Sequence, residues 1–306
     1  MLLVCMPFMA FAQSADTSIT IVTDPQLIAD NAHFSAHIVG NTEQRASIKW
    51  YVNGNEETAY SDLDTIELTS PDVQHTLTLT AQVKYLDGSV ATAKKVITTA
   101  RIDMLVSANT LVPPFYKGRR LPSPGSAITV TALVYDKAQT NPSHFSYLWK
   151  VNGNMQNGGA IYGKNTLTFA PSLFDSSESV QVEVLNAQGT SIAARTLRIP
   201  LAAPEVVFYE LNPLRGLSRN ALQDQYILIG DEATIRAEAY YMGPDLLSAS
   251  VQKKWEINGA AAAANADPME ITLTKQGNSG RAALSFSIRN AAQLLQSAEK
   301  QIMITF

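Results

Sequence analysis

Trp50-Tyr51-Val52-Asn53-Gly54, Trp149-Lys150-Val151-Asn152-Gly153 and Trp255-Glu256-Ile257-Asn258-Gly259 are one phrase written three times. The three copies hold every tryptophan of this 306-residue chain. From Trp50 to Trp149 is 99 residues, and from Trp149 to Trp255 is 106. A rare residue that recurs at one domain length, in a fixed context, marks an internal repeat. The period is too long for a solenoid and suits tandem β-sandwiches of about 100 residues each. Each position in the phrase has a physical reason. The tryptophan faces a core from a strand, and the β-branched residue two positions on faces the same way. Asn-Gly then makes a tight turn with positive φ. Trp50, Trp149 and Trp255 are therefore expected as equivalent core residues. The pairs Asn53/Gly54, Asn152/Gly153 and Asn258/Gly259 are expected as equivalent turns.

The same strand logic spreads outward from the phrase. Leu77, Leu79, Ala81, Val83 and Tyr85 alternate with Thr76, Thr78, Thr80, Gln82 and Lys84. That is period two over ten residues, a strand with one wet face. Asp87-Gly88 turns the chain into Val90 to Thr98. The second unit repeats this with Val180, Val182 and Val184, and the third with Leu284, Phe286 and Ile288. Upstream of each tryptophan lies another alternating run: Phe34/Ala36/Ile38, Ile128/Val130/Ala132/Val134 and Ile235/Ala237/Ala239. Seven short strands per unit predict antiparallel sandwiches. The stretches 56–64, 155–164 and 260–268 read as variable loops.

Composition narrows the function classes. The net charge is −4, and charged residues make up 16 %. No electrostatic footprint for nucleic acid or anionic lipid is present. Met1 to Ala12 is almost wholly apolar and ends in Ala10-Phe11-Ala12, which reads as a signal-peptide core with a small-x-small cleavage site. Because the first basic residue is Arg45, the charged leading region is missing, which makes the signal atypical or the start misplaced. Twelve residues are also too few to span a bilayer, which takes about 20. The only cysteine, Cys5, lies in this leader, so the mature sandwiches are expected to stand on packing without disulfides.

The sequence assembles no catalytic, cofactor or metal constellation, and none is expected. His33 and His37 sit on a predicted strand, where four residues span roughly 13 Å, so they cannot share an ion directly. Gly277-Asn278-Ser279-Gly280 is one residue short of a nucleophile elbow. Asp62 and Asp64 form an Asp-x-Asp loop, where a calcium site would need about six to eight oxygens.

Boundaries are expected near 101–108 and 200–206, giving sandwiches over 17–101, 102–200 and 204–306. Just past each boundary comes an aromatic phrase. The first contains Phe115, Tyr116, Lys117, Arg119 and Arg120; the second contains Phe208, Tyr209 and Arg215. Both read as a repeated aromatic plug fixing one domain against the next, Phe115 and Tyr116 between the first and second. The alternative is a sticky loop for a partner. Exposed apolar clusters are uncommon on soluble monomers, which favours the plug.

The Trp-x-Val/Ile-Asn-Gly strand resembles that of PKD-like and bacterial Ig-like domains, with Asn in place of their usual acidic turn residues. More narrowly, Pro113 to Gly125 and Glu205 to Gly216 resemble an exported Ig-like/PKD-like repeat family of ultra-small bacteria, over nearly the whole chain. The resemblance implies an extracellular or cell-surface β protein, with a link to surface filaments, and supplies no catalytic residues. The expectation is an all-β chain of three tandem Ig-like (PKD-like) antiparallel β-sandwich domains. Its work would be structural and protein-interacting, with an envelope or extracellular protein as partner, no nucleic acid and no membrane span. The rival readings are a glycan-binding adhesin using an exposed aromatic such as Tyr116 or Tyr162, and an accessory module of a hydrolase or a degenerate enzyme.

Overall fold

A computed structural model describes residues 18–41, 44–137, 141–248, 250–277, 279–291 and 296–306. The expected signal peptide, Met1 to Ala12, and Asn278 of the near-elbow lie outside the described residues.

Period-two runs become strands throughout, with their apolar faces inward. The first sandwich contains β1 (Ile19–Asp24), β2 (His33–Gly40), β3 (Arg45–Val52), β4 (Asn55–Glu56), β5 (Thr65–Thr69), β6 (Thr76–Tyr85) and β7 (Val90–Thr98). One sheet runs β1-β2-β5 and the other β4-β3-β6-β7. Leu77, Leu79, Ala81, Val83 and Tyr85 of β6 are all buried, packed with Phe34, Ile48, Trp50 and Ile66. The second sandwich contains β8 (Ala100–Ala108), β9 (Ile128–Asp136), β10 (Ser146–Val151), β11 (Asn154–Met155), β12 (Ile161–Tyr162), β13 (Thr166–Phe169), β14 (Ser177–Leu185) and β15 (Ser191–Pro200). Its sheets run β13-β9-β8 and β11-β10-β14-β15, with β12 added to β10.

The third sandwich contains β16 (Glu205–Asn212), β17 (Gly216–Ala221), β18 (Gln225–Ile227), β19 (Glu232–Tyr240), β20 (Val251–Ile257), β21 (Ala260–Ala262), β22 (Glu270–Thr274), β23 (Arg281–Asn290) and β24 (Ser297–Thr305). Its sheets run β17-β16-β19-β22 and β18-β24-β23-β20-β21. It departs from the expected pattern in two ways. The connection between β16 and β19 contributes two extra strands, and β18 pairs with β24 in parallel, Gln225 opposite Met303. The Ala260–Ala262 stretch, expected as loop, pairs back onto Trp255–Ile257.

Contacts divide the chain into two compact units. One comprises Met1–Ile102, Val134–Phe145 and Val184–Ala194; the other comprises Asp103–Leu133, Ser146–Glu183 and Arg195–Phe306. In the first, Arg101 lies 4.5 Å from the Tyr135 ring centroid and 3.8 Å from the Asp30 carboxylate. In the second, both sides of residues 200–206 belong to one body.

Candidate functional site

The repeated phrase forms the same hydrogen-bonded module three times. Trp50, Trp149 and Trp255 are at most 2 % exposed. Each indole N–H donates to a backbone carbonyl in the loop that follows: Leu63 at 2.9 Å, Lys164 at 2.9 Å and Pro268 at 3.1 Å. A buried indole N–H needs such a partner. The stretches that read as variable loops thus share an anchor 13 to 15 residues past each tryptophan.

The asparagines do more than permit the turn. Asn53, Asn152 and Asn258 have φ of 51°, 50° and 50°, followed by glycines at 86°, 80° and 77°. Positive φ at both central residues is the type I′ hairpin turn. Each asparagine also clamps the turn to the neighbouring strand. Its backbone N–H donates to the carbonyl of Thr78, Ser179 or Ala283, at 2.8 Å in each case. Its side-chain oxygen accepts from the N–H of the same residue at 2.9, 2.8 and 2.8 Å. Local sequence gave no sign of this two-way bond, because the partner strand lies about 25 residues away.

The two aromatic phrases are complementary halves of one joint. Phe115 and Tyr116 are half-buried, and they meet the third sandwich. Phe115 packs edge-on against Tyr209 at 5.2 Å, and Tyr116 edge-on against Tyr240 at 5.3 Å. The Tyr116 hydroxyl lies 3.0 Å from that of Tyr241, and the Tyr209 hydroxyl 2.6 Å from that of Tyr240. The expectation that Phe115 and Tyr116 lock the first sandwich to the second is corrected, because their ring partners come from β16 and the end of β19. Phe208 also departs from the plug reading. Strand alternation turns it inward, fully buried, to stack on Trp255 at 5.4 Å, while Tyr209 faces outward to receive Phe115.

Backbone and amide contacts complete the joint. The Leu111 N–H donates to the Met242 carbonyl at 2.7 Å, and the Tyr241 N–H returns to the Leu111 carbonyl at 2.8 Å. The Leu111 side chain closes over the third core. Gln296, 1 % exposed, donates to Ser123 Oγ at 3.1 Å and to the Pro124 carbonyl, while its Oε1 accepts from the Gly243 N–H at 2.7 Å. The Tyr116 ring covers Gly118 so closely that a Cβ there would collide with it. Gln296 and Leu111 carried no signal in the sequence; the adjacent pair Tyr240-Tyr241 shares the paired-aromatic pattern and could have pointed to the joint, but it was not among the expected sites.

Burial pushes the Tyr241 phenol up to about 12, helped by the Tyr116 hydroxyl. Burial, then the Tyr209 hydroxyl, raises Tyr240 as well. A phenol whose pKa rises on folding stabilises the fold while it stays protonated. That stability is complete below the ordinary tyrosine value of 10.0 and is lost as pH climbs toward about 12. The joint is therefore expected to open in this alkaline window, seen as loss of near-UV circular dichroism together with tyrosinate absorbance. Tyrosinate appearing wholly below pH 10 would contradict it.

Other residues singled out by sequence have ordinary duties. Asp62 accepts the Ile48 N–H at 2.8 Å, and Asp64 pairs with Arg45. The His33 ring lies 3.3 Å from Thr69 Oγ1. Lys117, Arg119, Arg120 and Arg215 are exposed. Among the described residues no group of three or more His, Cys, Asp or Glu converges on a metal position. No helix among them is long and apolar enough to cross a membrane.

Fold and module together define a tandem array of Ig- or fibronectin-III-like β-sandwiches. No family model and no curated protein matches the chain. Solved structures similar to it share the fold alone. The central fibronectin-III array of RIM-binding protein is 11 % identical, over 91 % of this chain and 99 % of that one, with a TM-score of 0.35. A 1.5-MDa bacterial ice-binding adhesin is 14 % identical, over 94 % and 95 %, with a TM-score of 0.26. Fibronectin(III)-like modules of Clostridium thermocellum CbhA are 11 % identical, over 59 % and 93 %, with a TM-score of 0.27.

Proposed function

We propose that this chain is a secreted or cell-surface, non-enzymatic structural and protein-interaction protein of three tandem Ig-like sandwiches, spanning 17–101, 102–200 and 204–306. Its task is to space and hold an envelope or extracellular protein partner, in association with surface filaments. The observation that carries this reading is the aromatic joint. The chain commits Phe115, Tyr116, Tyr209, Tyr240 and Tyr241 to fixing a connection onto a neighbouring sandwich, where they cannot form an open recognition platform. Interfaces between domains of one chain are ordinarily modest and mobile. An interlock of ring contacts, strand-like bonds and a buried amide is what a spacer requires.

Glycan binding keeps one supporting observation, Tyr162, which is 65 % exposed on β12. Tyr116 is half-buried in the joint, its ring against Tyr240 and its hydroxyl 3.0 Å from that of Tyr241. Export is tested by fractionating native cells and taking the intact mass of the protein. The expected product lies outside the cytoplasm and begins at or near Gln13. A cytosolic product that still carries Met1 would overturn the reading.

A further inference from the structure

The repeated module allows the three sandwiches to be compared position by position. Each clamp asparagine bonds one residue of a long strand, and the residue just before it points inward. These inward residues are Leu77 before Thr78, Glu178 before Ser179 and Ala282 before Ala283. The clamp makes them equivalent, yet they fill their places differently. Leu77 is buried in the first core. Glu178 is 1 % exposed, and its carboxylate accepts from Asn152 Nδ2 and from the Ser172 N–H. Ala282 is short and only half-buried.

The third sandwich is hollow at this position. A slot of about 510 Å³ opens there between its two sheets, with Ala282 in its lining. That volume falls within the range of small-molecule sites, about 300–1,000 Å³. Leu228, Leu273, Leu284 and Ile304, all buried, form the inner wall. Phe306 flanks the slot, its ring laid against Gly280 so closely that a Cβ there would collide with it. Sheets that face each other at about 10 Å leave a narrow space, which suits a chain better than a broad ring system.

The lining carries a single charged side chain, Arg281, and it is exposed. No Asp or Glu lines the slot, and among the described residues no carboxylate pairs with Arg281. A guanidinium presents a fork of N–H donors whose spacing matches a carboxylate. An apolar wall with one cation at its edge selects by chemistry. A cationic ligand is repelled by Arg281. A sugar would set its hydroxyls against leucine and isoleucine. A plain hydrocarbon would leave Arg281 unused.

We infer that the third sandwich binds a small monocarboxylate with an unbranched apolar body. The body fills the space that Ala282 leaves, and the carboxylate meets Arg281. The site adds a ligand to the structural reading and does not depend on it. A cytosolic product carrying Met1 would remove that reading and leave the slot as it is.

Octanoate is the probe, with 1-octanol as its uncharged counterpart. Titration of the full chain with octanoate, followed by amide NMR, is expected to shift Ile257, Leu273 and Leu284 together, with saturation. Octanol should bind at least about tenfold more weakly, because it forgoes the charge-assisted pair. Two variants separate body from head. Ala282→Leu supplies the residue that the first sandwich already carries at this position, so it should fold, melt no lower than the unaltered chain and abolish binding. Arg281→Gln alters an exposed residue, so it should also fold, and it should bind octanoate no better than octanol. If Ala282→Leu fails to fold, the Arg281→Gln comparison decides alone. Absence of shifts up to the solubility limit of octanoate would overturn the inference. So would equal affinity for octanol in the unaltered chain, full binding by Arg281→Gln, or full binding by a folded Ala282→Leu.

Discussion

Replacing Trp255 by alanine is expected to lower the stability of the third sandwich by about 3–5 kcal/mol, the range for deleting a large buried aromatic. Three losses combine at this site. The indole packs against Phe286 at a centroid distance of 4.6 Å and against Phe208 at 5.4 Å, so its removal opens a cavity between the two sheets. The Pro268 carbonyl, now served by the indole N–H at 3.1 Å, loses its donor. The loop behind β21 also loses the contact that ties it to the strand. A domain's whole stability is about 5–15 kcal/mol, so this single change takes a large part of it. Trp255→Phe separates the terms: it keeps most of the packing and gives up the hydrogen bond, a cost of about 1–3 kcal/mol. Denaturant titration of the full chain, followed by hydrogen exchange of β20 and β23, reads both effects. Trp50→Ala and Trp149→Ala should cost the same range in their own sandwiches. A cost below about 1 kcal/mol at any of the three would end the claim that the sites are equivalent.

The equivalence was legible because burial and turn chemistry are local. Period two placed Leu79, Val182 and Phe286 on inner faces, where all three are fully buried. Asn-Gly announced the positive φ of each hairpin. What escaped the sequence is what depends on residues far along the chain. The asparagine clamps reach strands about 25 residues on, and Gln296 meets Ser123 across 173 positions. No periodicity carries such a pairing. The aromatic phrases misled for a related reason. Phe115-Tyr116 and Phe208-Tyr209 are similar in composition, but the first lies in a connection and the second on a strand. A strand sends neighbouring side chains to opposite faces, so Phe208 enters the core while Tyr209 is left to receive Phe115. Composition alone could not tell two copies of a joint from its two halves.

Replacing Phe115 and Tyr116 together by serine is expected to release this joint while leaving the sandwiches folded. The double change removes the edge-on contacts to Tyr209, Tyr240 and Tyr241, with ring separations of 5.2, 5.3 and 6.5 Å. Such aromatic pairs contribute about 0.5–1.5 kcal/mol each beyond the area they bury. The paired hydroxyls of Tyr116 and Tyr241 are lost as well, leaving Tyr241 to find water. A total of about 2–4 kcal/mol follows, equivalent to about 30- to 700-fold easier opening at 1.4 kcal/mol per decade. The amides that report it are Leu111 and Tyr241, which bond across the joint, and their exchange should accelerate by that factor. Amides of β20 and β23, bonded within one sheet, should keep their protection. Small-angle scattering should show a wider spread of distances as the connection and the third sandwich move apart. The prolines at 113 and 114 restrict the connection and keep the ordering cost of the intact joint low. The two readings of these residues part at this point: a recognition loop would lose its partner from an envelope extract and leave exchange at Leu111 and Tyr241 unchanged. Unchanged exchange would therefore transfer Phe115 and Tyr116 from structure to binding, and with them the adhesin reading would replace the spacer.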